Sequence, residues 1–223
     1  MTERVKGSVT ELILIRHGET DWNVEKRLQG FHDILLNPEG ERQARALGVR
    51  LKDEPIDAIY SSDLQRAFLT AQAIAEVRGM PILPERGLRE RCFGAFEGFL
   101  HPELAERYPD DYAALQRRDV DVRYPRGEFE CETLTEFNAR VLDCVARIAR
   151  SGHRRVLLVT HGGVLDTVYR RATGMALNLP RSFAVLNASL NHVAWNGDEV
   201  AILKWADVDH LAQPARDEID RVR

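Results

Sequence analysis

Several absences narrow what this chain of 223 residues can be. It has only three cysteines, Cys92, Cys131 and Cys144. An odd number without metal-ligand spacing makes reduced cytosolic thiols the default. No apolar run approaches transmembrane length, and Met1–Glu11 carries no apolar segment of secretory type. A cytoplasmic protein with no membrane partner is therefore expected. There is no basic excess: 31 Lys and Arg stand against 35 Asp and Glu, for a net charge of −4 and a pI near 6.0. That balance argues against nucleic acid or an anionic membrane surface as a main partner. His32, His101, His153, His192 and His210 are scattered and form no helix-spaced metal pair, so neither a metal nor another cofactor is expected. No linker and no internal repeat interrupts the chain, which favours one large domain.

What is present centres on the ends of apolar runs. Leu12-Ile13-Leu14-Ile15 reads as a strand buried on both faces. It delivers Arg16-His17-Gly18-Glu19-Thr20 to what should be the carboxyl edge of a sheet, where ligands bind in open α/β proteins. A histidine beside a fixed cation is equipped to attack an anionic electrophile; a strand followed by a polar turn explains this pentapeptide alone equally well. A second run, Val156-Leu157-Leu158-Val159, ends in Thr160-His161-Gly162-Gly163. Two parallel strands can bring these ends together. Ile59-Tyr60-Ser61-Ser62-Asp63-Leu64-Gln65-Arg66 offers a third edge carrying Arg66, and Leu88 to Gly98 holds Glu90 in a glycine-bounded loop.

The remaining pattern alternates strand and helix. Asn37-Pro38 predicts a helix start with Asn37 as cap, running to about Lys52. Ile56–Tyr60 is a second strand, Asp63 is expected to cap a helix to about Val77, and Pro81–Leu83 is a brief strand. Thr133-Leu134-Thr135-Glu136 has capping-box form and opens a helix to about Arg150. After Val156–Thr160 a helix over 164–173 is expected. Ser189–Trp195 and Val200–Trp205 then form a hairpin around Asn196-Gly197-Asp198, whose edge can pair across a homodimer. Residues 98–130 read as a helical insertion over the site mouth. The domain is expected over 1–206, with 207–223 a polar, mobile tail.

Together these segments resemble the histidine phosphatase superfamily, the phosphoglycerate mutase-like proteins, from about Leu12 to Trp195. The match rests on Arg16–Thr20 with Asp21-Trp22-Asn23, Leu28-Gln29-Gly30, Ser61 to Ala67, Glu90 with Phe93-Gly94 and Glu97-Gly98, and Thr160 to Gly163. The resemblance implies a three-layer α/β/α sandwich, with a mostly parallel central sheet and helices on both faces. It implies that His17 becomes phosphorylated, that Arg16 and Arg66 clamp the phosphoryl oxygens, and that His161 and the Gly162 amide donate to them. Glu90 would protonate the leaving alkoxide and then activate water, with Phe93 and Phe96 burying it. A salt bridge to Arg89 or Arg91 is the plainer reading of Glu90 from spacing alone. Thr20, Asn23, Gln29, Gly30 and Arg91 complete the expected phosphate- and substrate-binding set, and Glu97 reads as structural. Arg117 and Arg118 could hold a substrate carboxylate or form a solvated ion-pair face.

Relative to the cofactor-dependent glycolytic mutases, the insertion is short, Phe93 stands where their acid loop has tyrosine, and Leu100-His101-Pro102 replaces a stretch carrying a lysine. Each departure leans towards hydrolysis of a small phosphorylated metabolite. A mutase-type phosphotransferase is the alternative, and a non-catalytic phospho-ligand binder a second. Activity on p-nitrophenyl phosphate separates the binder from both enzymes.

Overall fold

Leu12, Ile13, Leu14 and Ile15 are all fully buried because their strand is the sheet's interior partner on both edges. The computed structural model describes residues 9–197 and 199–217. β1 (Thr10–Arg16) pairs in parallel with β4 (Arg155–Thr160) and antiparallel with β5 (Leu190–Trp195). With β2 (Ala58–Ser61), β3 (Ile82–Pro84) and β6 (Val200–Asp207) they form a six-stranded sheet of order β3-β2-β4-β1-β5-β6. The first four of these in space are mutually parallel; β5 and β6 run against them.

Strand alternation sorts the core into two layers. Leu12, Leu14, Val156 and Leu158 pack on one side against α6 (Leu134–Ala149) and α7 (Gly162–Thr173). Ile13, Ile15, Leu157 and Val159 pack on the other against α2 (Pro38–Arg50) and α3 (Gln65–Arg78). Each such aliphatic contributes about 1.5–3 kcal/mol by leaving water. The three-layer sandwich is the expected one. Among the described residues, no helix is long and apolar enough to cross a membrane.

Local signals hold where their partners are near in sequence. Asn37 caps α2, its side chain accepting from the Gly40 N–H at 2.8 Å. Thr133 and Glu136 form the reciprocal capping box of α6. Residues 98–130 carry α4 (His101–Arg107) and α5 (Pro109–Arg117), after the short α1 (Asp21–Glu25) near the first strand end. A separate apolar cluster of Cys92, Phe96, Leu104, Tyr124 and Cys131 seats the insertion.

Two expectations need correction. Asp63 does not cap α3: Leu64 occupies the cap with no side-chain bond. Asp63 instead takes both arms of Arg89, at 2.6 and 2.7 Å, and Asp33 accepts from the Gln65 N–H. A paired guanidinium contact is stronger than one cap bond, so it takes the carboxylate. Residues 208–217 do not form a detached tail. Leu211 packs on the second core layer, and Asp217 bridges Leu186. Residues 218–223 of the expected tail, Asp198 of the hairpin turn and residues 1–8 of the N-terminal stretch lie outside the described residues.

Candidate active site

The β1–β4 ladder builds the centre of the site. Arg16 lies opposite Thr160 in register, and the His17 N–H donates to the Thr160 carbonyl at 2.9 Å. His17 and His161 therefore leave adjacent strand ends together, their ring centroids 5.2 Å apart. Nδ1 of His17 lies 2.7 Å from the Gly18 carbonyl. A carbonyl only accepts, so Nδ1 carries the proton and Nε2 keeps its lone pair. Burial, then the charges of Arg66 and Arg16, push the His17 pKa well below its usual value. Burial and Arg66 do the same to His161. Both imidazoles stay neutral.

Gly18 allows a close backbone crossing: a Cβ there would lie 2.5 Å from the Gly40 carbonyl oxygen. Its N–H donates to Thr70 Oγ1 at 3.0 Å. Arg16 and Arg66 are almost wholly buried. Arg16 donates from Nη1 to the Val185 carbonyl at 2.7 Å. Arg66 donates to the carbonyls of His32 and Gly30, both at 2.8 Å. These bonds fix the planar guanidinium groups in place.

Glu90 sits on the start of α7. Its carboxylate accepts from the Gly163 N–H at 2.9 Å and the Arg91 N–H at 2.7 Å. Arg140 holds the Glu90 segment from behind, donating to the carbonyls of Gly87, Arg89 and Glu90, and is itself held by Glu132 at 2.5 and 2.7 Å. Arg89 is spent on Asp63, and Arg91 donates from Nε to the Glu132 carbonyl while stacking on Tyr124. Phe96 does not bury Glu90, because it belongs to the cluster beneath the insertion. Among the apolar residues that line the cleft with Glu90 are Phe93, Leu134 and Phe137.

A cleft of about 720 Å³ opens at Glu90 and the start of α7. Asn23, Glu90, Arg91 and Gly162 line it, as do His101 and Arg118 from the insertion. Thr20, Gln29 and Gly30 do not, and neither do the buried His17, His161, Arg16 and Arg66. The Thr20 hydroxyl and Asn23 cap α1, the Gly30 carbonyl holds Arg66, and Gln29 is buried. Asn23 Oδ1 accepts from Thr20 and Asn187, so its NH2 group is what it can offer a ligand. Glu97 is structural in geometry: Oε1 accepts from the N–H groups of Phe31 and Phe93, joining the two loops. Of the paired arginines, Arg117 meets Asp119 at the surface, whereas Arg118 faces the cleft paired with Asp166.

Other residues around the site escaped the sequence reading. Asn187 donates from Nδ2 to the His17 carbonyl at 3.0 Å, and its N–H donates to the Arg216 carbonyl. Asp217 Oδ1 accepts from the Val185 N–H at 3.1 Å and lies 3.4 Å from Arg181. Arg216 donates to Glu19 at 2.7 Å. The last described residues thus strap the 185–187 segment that braces Arg16 and His17. No spacing rule joins positions so far apart in the chain. Among the described residues, no group of three or more His, Cys, Asp or Glu is placed to hold a metal ion.

Residues 12–208 match the sequence profile of the histidine phosphatase superfamily (branch 1). The chain is 38% identical over 207 residues to phosphoglycerate mutase-like protein 4 of Arabidopsis thaliana, covering 91% of this chain and 87% of that one. It is also 38% identical over 213 residues to the metal-independent phosphoserine phosphatase of Arabidopsis thaliana, covering 94% and 86%. Among solved structures, Bacillus stearothermophilus YhfR superposes with a TM-score of 0.81 at 33% identity, covering 90% of this chain and 98% of that one.

Proposed function

The chain belongs to the histidine phosphatase superfamily, branch 1, and on that footing we propose that it hydrolyses a small phosphomonoester through a phosphohistidine on Nε2 of His17. The observation that carries this is the bond from Nδ1 of His17 to the Gly18 carbonyl, which commits the other nitrogen to a lone pair. Nε2 attacks phosphorus, and the ester P–O bond breaks with its electron pair passing to the leaving oxygen. Protonated Glu90 supplies the proton to that oxygen and releases an alcohol. The Glu90 carboxylate then takes a proton from water as the water attacks phosphorus. The P–N bond breaks, and inorganic phosphate leaves with Glu90 protonated again.

Arg16, Arg66, His161 and the Gly162 amide stabilise the charge on the three equatorial oxygens. Asn23 and Arg91, which line the cleft, contact the ester nearby. Thr20, Gln29 and Gly30 serve by holding the phosphate loop. The named relative makes phosphoserine the first substrate to try. We place the enzyme in the cytoplasm, in keeping with three buried free thiols, of which burial pushes Cys92 and Cys144 up to about 12. Nucleic acid and membranes are not its partners in this reading, and a homodimer would pair through the β6 edge.

The test is to incubate briefly with 32P-labelled phosphoserine or p-nitrophenyl phosphate and quench without acid. An acid-labile, base-stable label on His17, absent in His17→Ala, is expected. Full turnover by that variant overturns the mechanism. Release of free phosphate, rather than its return to a second hydroxyl, separates hydrolysis from mutase action.

A further inference from the structure

Ser62 stands one residue beyond β2, wholly buried, and its Oγ lies 2.8 Å from Nε2 of His161. His161 is also wholly buried, and its Nδ1 has no hydrogen-bond partner among the described residues. Which nitrogen carries the proton is decided by the hydroxyl. The Leu64 N–H already donates to Ser62 Oγ at 3.3 Å. If Nε2–H also donated to it, the hydroxyl proton would be stranded in a buried place with no acceptor, which is costly. A bare Nδ1 lone pair would then face the negative phosphoryl oxygens. If the hydroxyl donates to Nε2 instead, every proton has a destination, and Nδ1–H is left for the ligand.

We propose that Ser62 is a positioning residue: its hydroxyl donates to Nε2 of His161 and thereby fixes the proton on Nδ1, the nitrogen that donates to the transferring phosphoryl group. This rests on the reading of the site given above. The two histidines are then opposite in design. A carbonyl sets His17 as a nucleophile, and a hydroxyl sets His161 as a donor. A hydroxyl also has a property a carbonyl lacks, since it can turn and accept. If the bound phosphoryl group draws His161 into its cationic form, Ser62 can rotate to receive the new Nε2–H and stay bonded.

The experiment reads the tautomer directly. Long-range 1H–15N spectra of the free enzyme at pH 7.5 should show neutral His161 protonated on Nδ1. Ser62→Ala should give a mixture of tautomers, and Ser62→Thr should restore the wild-type pattern. Single-turnover labelling of His17 should slow by about 10- to 100-fold in Ser62→Ala, less than the roughly 10²–10³-fold for a donor lost outright because part of the tautomer mixture still donates, and recover in Ser62→Thr. A wild-type His161 protonated on Nε2 overturns the proposal even if a variant fails to fold. So does Ser62→Ala with an unchanged tautomer and labelling rate. Absence of any label on wild-type enzyme would instead overturn the phosphohistidine reading and leave the spectra to decide the tautomer.

Discussion

Gly163 and Glu90 fit against each other with no room for a methyl group. The Gly163 N–H donates to one carboxylate oxygen at 2.9 Å, and a Cβ on Gly163 would lie 2.1 Å from the other. The proposed proton donor is thus placed by a backbone amide at the start of α7, where a helix N-terminus also favours a carboxylate. Gly163→Ala should keep the fold but displace Glu90. Turnover of an alkyl phosphate should fall by about 10²–10⁴-fold, the range for losing general acid–base catalysis. Steady-state kinetics beside a thermal melt checks this; full activity would show that Glu90 need not sit there.

Glu90→Gln tests the same role by leaving group. A nitrophenolate departs with little need of a proton, whereas an alkoxide needs one. Pre-steady-state bursts with p-nitrophenyl phosphate should be slowed far less than those with an alkyl phosphate. Equal slowing of both would remove Glu90 as proton donor.

Folding stability should fall as pH drops below about 6.5, the unfolded value for histidine. His17, His161 and His210 are each pushed down, by burial first. The unfolded chain therefore binds protons that the folded one refuses, and stability is lost on acidification until the folded values are reached. Glu97, raised chiefly by burial, acts with the opposite sign. Three imidazoles at about 1.4 kcal/mol each set a ceiling of about 4 kcal/mol per pH unit, reduced by whatever Glu97 offsets. Urea midpoints between pH 7.5 and 5.5 measure it, and a flat profile would contradict the burial of these imidazoles.

Asp217→Ala should loosen the strap. It removes the acceptor for the Val185 N–H and the partner of Arg181, while Val185 still holds Arg16 through its carbonyl. The change in melting should be small, since a partly exposed ion pair contributes about 0–1 kcal/mol. KM should rise more than kcat falls. A variant unchanged in KM would show that the strap does not shape the cleft.

Chelation should leave activity intact. The charge that a divalent ion would supply to the phosphoryl oxygens comes from Arg16 and Arg66 in the proposed mechanism. Activity lost on prolonged EDTA treatment and regained with a divalent ion would reveal a site outside this reading.

How much of this was legible in the sequence depended on the reach of each signal. The strand at Leu12–Ile15 and the caps at Asn37 and Thr133 are set by residues within a few positions, and all were readable. His17, His161 and Arg66 stood out as candidates because each follows a recognisable strand end, whereas Glu90 stood out only through the family resemblance, its spacing alone favouring a salt bridge. Asp63 was misread because its partner, Arg89, lies across a loop. Phe96 was placed beside Glu90 by proximity in sequence, but a 3-10 turn over Gly94–Phe96 delivers it to the insertion's own core. Asn187 and Asp217 carry no local signal, since each acts through a distant backbone partner; Ser62 lies inside the matched Ser61–Ala67 segment, but its imidazole partner is far away in the chain.

The register of β1 on β4 works as the ruler of the catalytic centre. Arg16 faces Thr160, so each histidine is counted out from one rung of the ladder. Side chains alternate faces at every step, and a slip by a single residue would turn one imidazole toward the opposite helix layer while carrying Leu12–Ile15 out of phase with both cores. The spacing of the two imidazoles is therefore guarded by the whole hydrophobic interior, and a slipped histidine pair would bring a displaced core with it.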